Sequence, residues 1–302
     1  MNEPEIGFIG APVETDLAAL DADVAILGVP HGWPYPRPGA TAGCAEAPAA
    51  VRRRAARLAR FRDHWDFDLD GPMLPADRAP RLVDAGDVPG DPSDGAASSR
   101  RTVEAVAAIL DRGAIPICVG GDDSVPIPIL RAYGRQGPLT VLQVDAHLDF
   151  RDEIDGVRDG YSSPMRRASE MDHVERIVQV GLRGVGSALA SDVEDALAVG
   201  NHLVTTRELR ERGVAWLLQQ LPADASVFVS FDCDGLDPSV LPAVSALAPG
   251  GIGYAEASDL LAGIGPRLAG AVFTEYVPAL DVNELSALTI SRLMVRLIGS
   301  LA

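Results

Sequence analysis

The chain alternates between two hydrophobic periods, and that alternation restricts the folds open to it. Short apolar runs rich in Val, Ile, Leu and Phe occupy residues 24–29, 114–119, 139–144, 177–180, 227–231 and 271–276. Each is short for a helix and lacks the polar alternation of a half-exposed strand, so each reads as a strand covered on both faces. Between them, 47–61, 101–112, 125–133, 187–199, 206–220 and 254–268 carry apolar residues at helical spacing, several closing on a glycine. A parallel crossover has to pass over a sheet face, so the pattern predicts a parallel sheet with helices on both sides. Ligands of such sheets bind beyond the carboxyl ends of the strands. Residues 63–95, rich in Asp, Pro and Gly, predict loops around one short strand at 81–84, and 283–301 predict a closing helix. No repeat divides the chain, and a single domain over 1–302 is expected.

Composition excludes some partners. A net charge of -17 repels phosphate and favours encounter with cations, so nucleic acid is not expected as a partner. No apolar run approaches the roughly 18 residues of a membrane span. The opening residues carry Glu3 and Glu5 and no basic start, which predicts a protein kept in the cytoplasm. Cys44, Cys118 and Cys233 lie far apart without CxxC spacing, so neither disulfides nor a thiolate zinc site is expected.

Three strand ends carry the chemistry. The run at 139–144 leads into Asp145, His147 and Asp149, and side chains two apart on a strand share a face. The run at 227–231 leads into Asp232 and Asp234, with Asp237-Pro238 following. Either cluster alone fits helix caps or turn formers. Both together place paired carboxylates at strand ends, where they repel unless cations sit between them. The third run passes through Gly120 and Gly121 to Asp122, Asp123 and Ser124. Asp122 or Ser124 suits a helix cap, and Asp123 is the additional candidate ligand.

These segments resemble the ureohydrolases, the family of arginase and agmatinase. GVP (28–30), RPGA (37–40), DAGDV (84–88), GGDDS (120–124), DAHLD (145–149), SFDCDGLDP (230–238), APGG (248–251) and TEYVP (274–278) follow the family's order along nearly the whole chain. The resemblance implies a three-layer α/β/α fold with an eight-stranded, mostly parallel sheet, homo-oligomers that are commonly trimers or hexamers, and two Mn²⁺ ions. Asp145 and Asp232 would bridge the ions, Asp149 would complete the first, and His147 with Asp234 the second. Glu275 matches the glutamate that holds a guanidinium group. The implied reaction is hydrolysis of agmatine or a related small guanidino compound to urea, by attack of a metal-bridging hydroxide that Asp149 steers.

Two positions depart from the family pattern. Asp123 stands where the family has a histidine, and a second, catalytic histidine is missing from the loop at 161–164, where Tyr161 is the group left to serve the leaving amine. An added carboxylate favours hard, oxygen-preferring ions such as Mn²⁺ over Zn²⁺. Were Asp123 to point away, a single ion would be expected; Ni²⁺ is the other alternative. His31 is the nearest candidate to replace a missing imidazole, and Arg151 and Arg158 are candidates for a substrate carboxylate. Two other functions stay open: a weak or inactive paralogue that binds a guanidino ligand or a partner subunit, and hydrolysis of an amide or formimino group.

Overall fold

All six apolar runs form strands of one sheet in the computed structural model, which describes residues 1–33, 35, 42–75, 77–91 and 94–301. The RPGA segment lies outside the described residues. In chain order the strands are β1 (Val24–Val29), β2 (Trp65–Asp66), β3 (Gly71–Pro72), β4 (Leu82–Asp87), β5 (Ile115–Gly120), β6 (Leu139–Val144), β7 (Val174–Leu182), β8 (His202–Thr205), β9 (Val227–Asp232) and β10 (Leu268–Thr274). The helices are α1 (Ala47–Ala56), α2 (Gly95–Asp111), α3 (Pro126–Ala132), α4 (Pro164–Ser169), α5 (Ala190–Ala198), α6 (Thr206–Arg212), α7 (Val214–Leu218), α8 (Tyr254–Ile264) and α9 (Leu285–Gly299). None is long and apolar enough to cross a membrane.

The large sheet has eight strands in the order β4-β1-β5-β10-β9-β6-β7-β8, and every pairing in it is parallel. Residues of β1, β6 and β9 are buried throughout, as strands covered on both faces must be. One apolar layer joins the sheet to α1, α8 and α9; the other joins it to α2, α3 and α4. The result is the three-layer α/β/α arrangement. Phe231 and Phe273 stack across β9 and β10 with ring centroids 5.0 Å apart, each fully buried and so contributing about 1.5–3 kcal/mol.

Topology positions the site. After β5 the chain leaves a gap of two strands before laying down β6, and β9 and β10 return to fill it. Crossovers on either side of that gap run in opposite directions, which opens a crevice at the carboxyl ends of the central strands.

Several details differ from the sequence reading. β8, four residues long at the sheet edge, carries too weak a pattern to be seen in advance. The helix expected over 206–220 is two helices, because Gly213 takes φ +81°, a conformation costly for any residue with a side chain. The helix expected over 47–61 ends at Ala56. In the DAGDV segment the acids serve the framework: buried Arg52 of α1 holds Asp84 through Nε and Nη2, both at 2.9 Å, and also binds Asp87.

Candidate metal centre

Four adjacent strand ends deliver the acidic side chains. Asp123 follows β5, Asp145 begins the turn after β6, Asp232 closes β9 and Glu275 follows β10. One ligand atom each from Asp123, Asp145, Asp149 and Asp232 lies within 4.8 Å of the others, and so do those of Asp145, His147 and Asp234. Asp145 belongs to both groups. The candidate ligands named from sequence are thus brought to one place.

They converge by a different route from the one expected. β6 stops at Val144, so strand alternation does not carry Asp145, His147 and Asp149 to a common face. A turn does: Asp145 Oδ1 accepts the His147 N–H at 2.6 Å, and Asp149 adopts a left-handed backbone with φ +47°. At the β9 end, Asp232 Oδ1 accepts the Asp234 N–H at 2.8 Å, and Asp234 Oδ1 accepts the Ala146 N–H at 3.1 Å, tying the two segments together. Gly235 permits their close approach, since a Cβ there would sit 2.8 Å from the Asp145 nitrogen. His147 Nδ1 lies 3.0 Å from Asp234 Oδ2.

The acids are in an environment hostile to their charge. Burial, followed by the neighbouring carboxylates, raises Asp123, Asp149 and Asp232 well above the usual carboxylate range, Asp145 to about 6 and Glu275 to about 8. His147, hydrogen-bonded to Asp145 and Asp234, is pushed up to about 10. Thr274 Oγ1 donates to Asp123 Oδ1 at 2.6 Å, whereas the buried Asp123 Oδ2 meets no hydrogen-bond partner among the described residues. A sealed carboxylate oxygen without a donor, beside three more acids, fits a divalent cation. An oxygen-rich set with one imidazole suits a hard ion of the Mn²⁺ type.

The raised values fix a sign for stability. Groups that hold protons more tightly when folded stabilise the metal-free chain below their unfolded values and lose that contribution as pH rises through the folded ones. For Asp145 and Glu275 that window runs from about 4 to about 8, and His147 acts in the same direction up to about 10. Metal-free protein is therefore expected to unfold at lower urea at pH 9 than at pH 6. Mn²⁺, which displaces those protons, is expected to bind more tightly at pH 9 and so to raise the midpoint more there at the same added concentration; a hundredfold excess over the dissociation constant corresponds to about 2.7 kcal/mol of stability. A midpoint indifferent to both pH and Mn²⁺ would contradict the assignment.

The cluster forms the floor of a cavity of about 320 Å³ walled by Tyr161, Ser162, Val185, Gly186, Ser187, Ser245 and Ala246, with Glu275 beside the acids. Tyr161 packs edge-on against Tyr35, centroids 4.5 Å apart, and the Tyr35 hydroxyl accepts the Ser162 N–H at 3.1 Å. Glu275, at φ +64°, accepts the Asp123 N–H on Oε1 at 2.8 Å. Ser187 and Ser245 were not singled out in the sequence, since isolated hydroxyl residues in loops carry no periodic signal, and Thr274, the last residue of β10, entered only as part of the TEYVP segment.

Three candidates lie elsewhere. His31 is buried with Nε2 3.4 Å from Thr102 Oγ1 of α2, its pKa lowered to about 4 by burial, and it lines a different cavity with Trp33. Arg151 is engaged by the Ser187 carbonyl and Asp192, and Arg158 by Asp152 and Glu170. No Lys or Arg stands among the described residues lining the site. Asp122 serves as a turn former, accepting the Ser124 N–H at 3.0 Å.

Comparison with known proteins agrees with this geometry. The arginase family profile matches residues 22–299. The chain is 34% identical to a guanidinopropionase of Pseudomonas aeruginosa over 98% of this chain and 91% of that protein. Among solved structures, the proclavaminate amidino hydrolase of Streptomyces clavuligerus superposes with a TM-score of 0.85 at 26% identity, over 99% of this chain and 97% of that one. The formiminoglutamase of Trypanosoma cruzi with Mn²⁺ reaches 0.81 at 28% identity, over 93% of each chain. Matched by the family profile from β1 to the end of α9, the chain belongs to the arginase family.

Proposed function

We propose that this chain is a divalent-metal-dependent amidinohydrolase that cleaves the guanidino group of agmatine or a related small guanidino compound, giving urea and an amine. The observation that carries the reading is the pair of ligand groups sharing Asp145 on the floor of a cavity beside Glu275. Asp123, Asp145, Asp149 and Asp232 would hold one Mn²⁺, and Asp145, His147 and Asp234, joined by Asp232, the other. When bound, the cations neutralise the buried acids and make water nucleophilic near neutral pH.

The protein's own groups do the rest. Glu275, with Oε1 fixed by the Asp123 N–H, offers a carboxylate to the planar N–H edge of the guanidinium, which places the guanidinium carbon over the acids. Asp149 accepts a hydrogen bond from the attacking water and orients it. As the C–N bond breaks, the water's proton has to reach the departing amine, and in this reading the Tyr161 hydroxyl, from the cavity wall, passes it. A phenol is a poorer proton shuttle near neutral pH than an imidazole, so turnover below that of a histidine-bearing site is expected. We further infer a cytoplasmic homo-oligomer, a trimer or hexamer, with no nucleic-acid partner.

The test is urea release from agmatine, arginine, guanidinobutyrate, guanidinopropionate and guanidine with added Mn²⁺ or Ni²⁺, alongside metal analysis. Release from at least one compound, with two ions per chain, is expected. Silence across the panel with metal bound would favour the inactive paralogue, to which the phenol at Tyr161 already points.

A further inference from the structure

On one face of the sheet, just below the candidate ligands, three buried amides form a line. Gln143 stands two residues before Asp145 and, in the parallel register, directly beside Gln179 of β7. Gln143 Nε2 donates to Asp145 Oδ2 at 2.7 Å, and Gln179 Nε2 donates to Gln143 Oε1 at 2.6 Å. Asn201 Nδ2 donates to Gln179 Oε1 at 2.9 Å, so each amide is oriented by the next. Gln179 Nε2 also donates to the Leu148 carbonyl at 2.7 Å, on the peptide that leads into the left-handed Asp149.

Packing does not account for this line. Val141, Ile177 and Phe228 continue the same face one step below, and all are buried and apolar. Amides there are desolvated, and apolar side chains of similar volume would fill the space without that cost. The carboxylate end gives the line its direction, since reversing the Gln143 amide would set its oxygen against Asp145 and its NH₂ against the NH₂ of Gln179.

We propose that Gln179 is a positioning residue for the metal centre, fixing the Asp145 carboxylate through Gln143 and the Asp149 turn through the Leu148 carbonyl. With Asn201 holding it in turn, one side chain that touches no ion sets the aim of two candidate ligands. The proposal rests on the metal-centre reading above. It adds a determinant of metal affinity outside the ligand set.

The test uses the full chain, stripped of metal and titrated with Mn²⁺ against a fluorescent chelating indicator at fixed pH, together with thermal unfolding of the metal-free protein. Gln179→Met keeps the length and removes the donors, and is expected to weaken Mn²⁺ binding about 10- to 100-fold. Gln143→Met is expected to act in the same direction, with the double variant losing less than the product of the single losses, because both cut one chain of contacts. Should Gln179→Met not fold, Asn201→Ala at the outer end is expected to give a smaller loss of the same kind. Unchanged affinity with a lowered unfolding temperature would overturn the positioning role, and losses that multiply in full would overturn the coupling. Failure of the unsubstituted chain to bind Mn²⁺ would remove the metal reading itself, an outcome the variants do not mimic.

Discussion

Asp145→Asn is expected to lower urea release by about 10³-fold or more, because Asp145 is common to both ligand groups. Cations in such a site contribute several kcal/mol to the transition state, and each 1.36 kcal/mol is tenfold in rate. The substitution keeps the shape but halves the ligand's capacity and removes its charge. Stability separates this from misfolding. Burial and Asp234 already raise Asp145 to about 6, so taking away one buried acid relieves repulsion. Metal-free Asp145→Asn is therefore expected to withstand urea at pH 8 at least as well as the metal-free parent, while gaining less from Mn²⁺. Parent-like turnover with two ions bound would sink the assignment.

Glu275→Gln should divide the kinetic constants differently. It belongs to neither ligand group, so Mn²⁺ is expected to bind and stabilise as before. What is lost is the charged partner of the guanidinium, and breaking one side of a desolvated charge pair costs about 2–5 kcal/mol, or about 30- to 5,000-fold in kcat/KM. Burial and Asp122 hold Glu275 near 8 when no cation is present, so the substrate and the ions are what bring it into its charged form. The parent's kcat/KM is accordingly expected to fall below neutral pH more steeply than that of the Gln variant. Equal kcat/KM within a factor of about three would dismiss the role.

Much of this site was legible in advance because it depends on residue types that few strand ends carry. Asp145, His147, Asp149, Asp232 and Asp234 announce themselves as charges immediately after apolar runs, and the structure collects them. Their mode of convergence was not legible. The left-handed backbone at Asp149 follows from contacts of its carbonyl with the Met165 and Arg166 amides, which sequence spacing does not reveal. Gln143 and Gln179 read as ordinary polar letters in apolar strands; only the register between β6 and β7 makes them neighbours. His31 was misleading for the same reason, since its place after β1 gave no sign that its ring turns toward α2 rather than the acids.

The order in which the strands are laid down also sets when the centre can exist. Up to β8 the growing polypeptide holds two separate ribbons, β4-β1-β5 and β6-β7-β8, each with an open inner edge and each carrying only part of the acidic set. Joining them awaits β9 and β10, so on the ribosome an incomplete chain would offer a divalent cation only part of the candidate ligand set, beside sticky, unpaired backbone. Metal loading would thereby be a late event, open to finished molecules and closed to truncated ones.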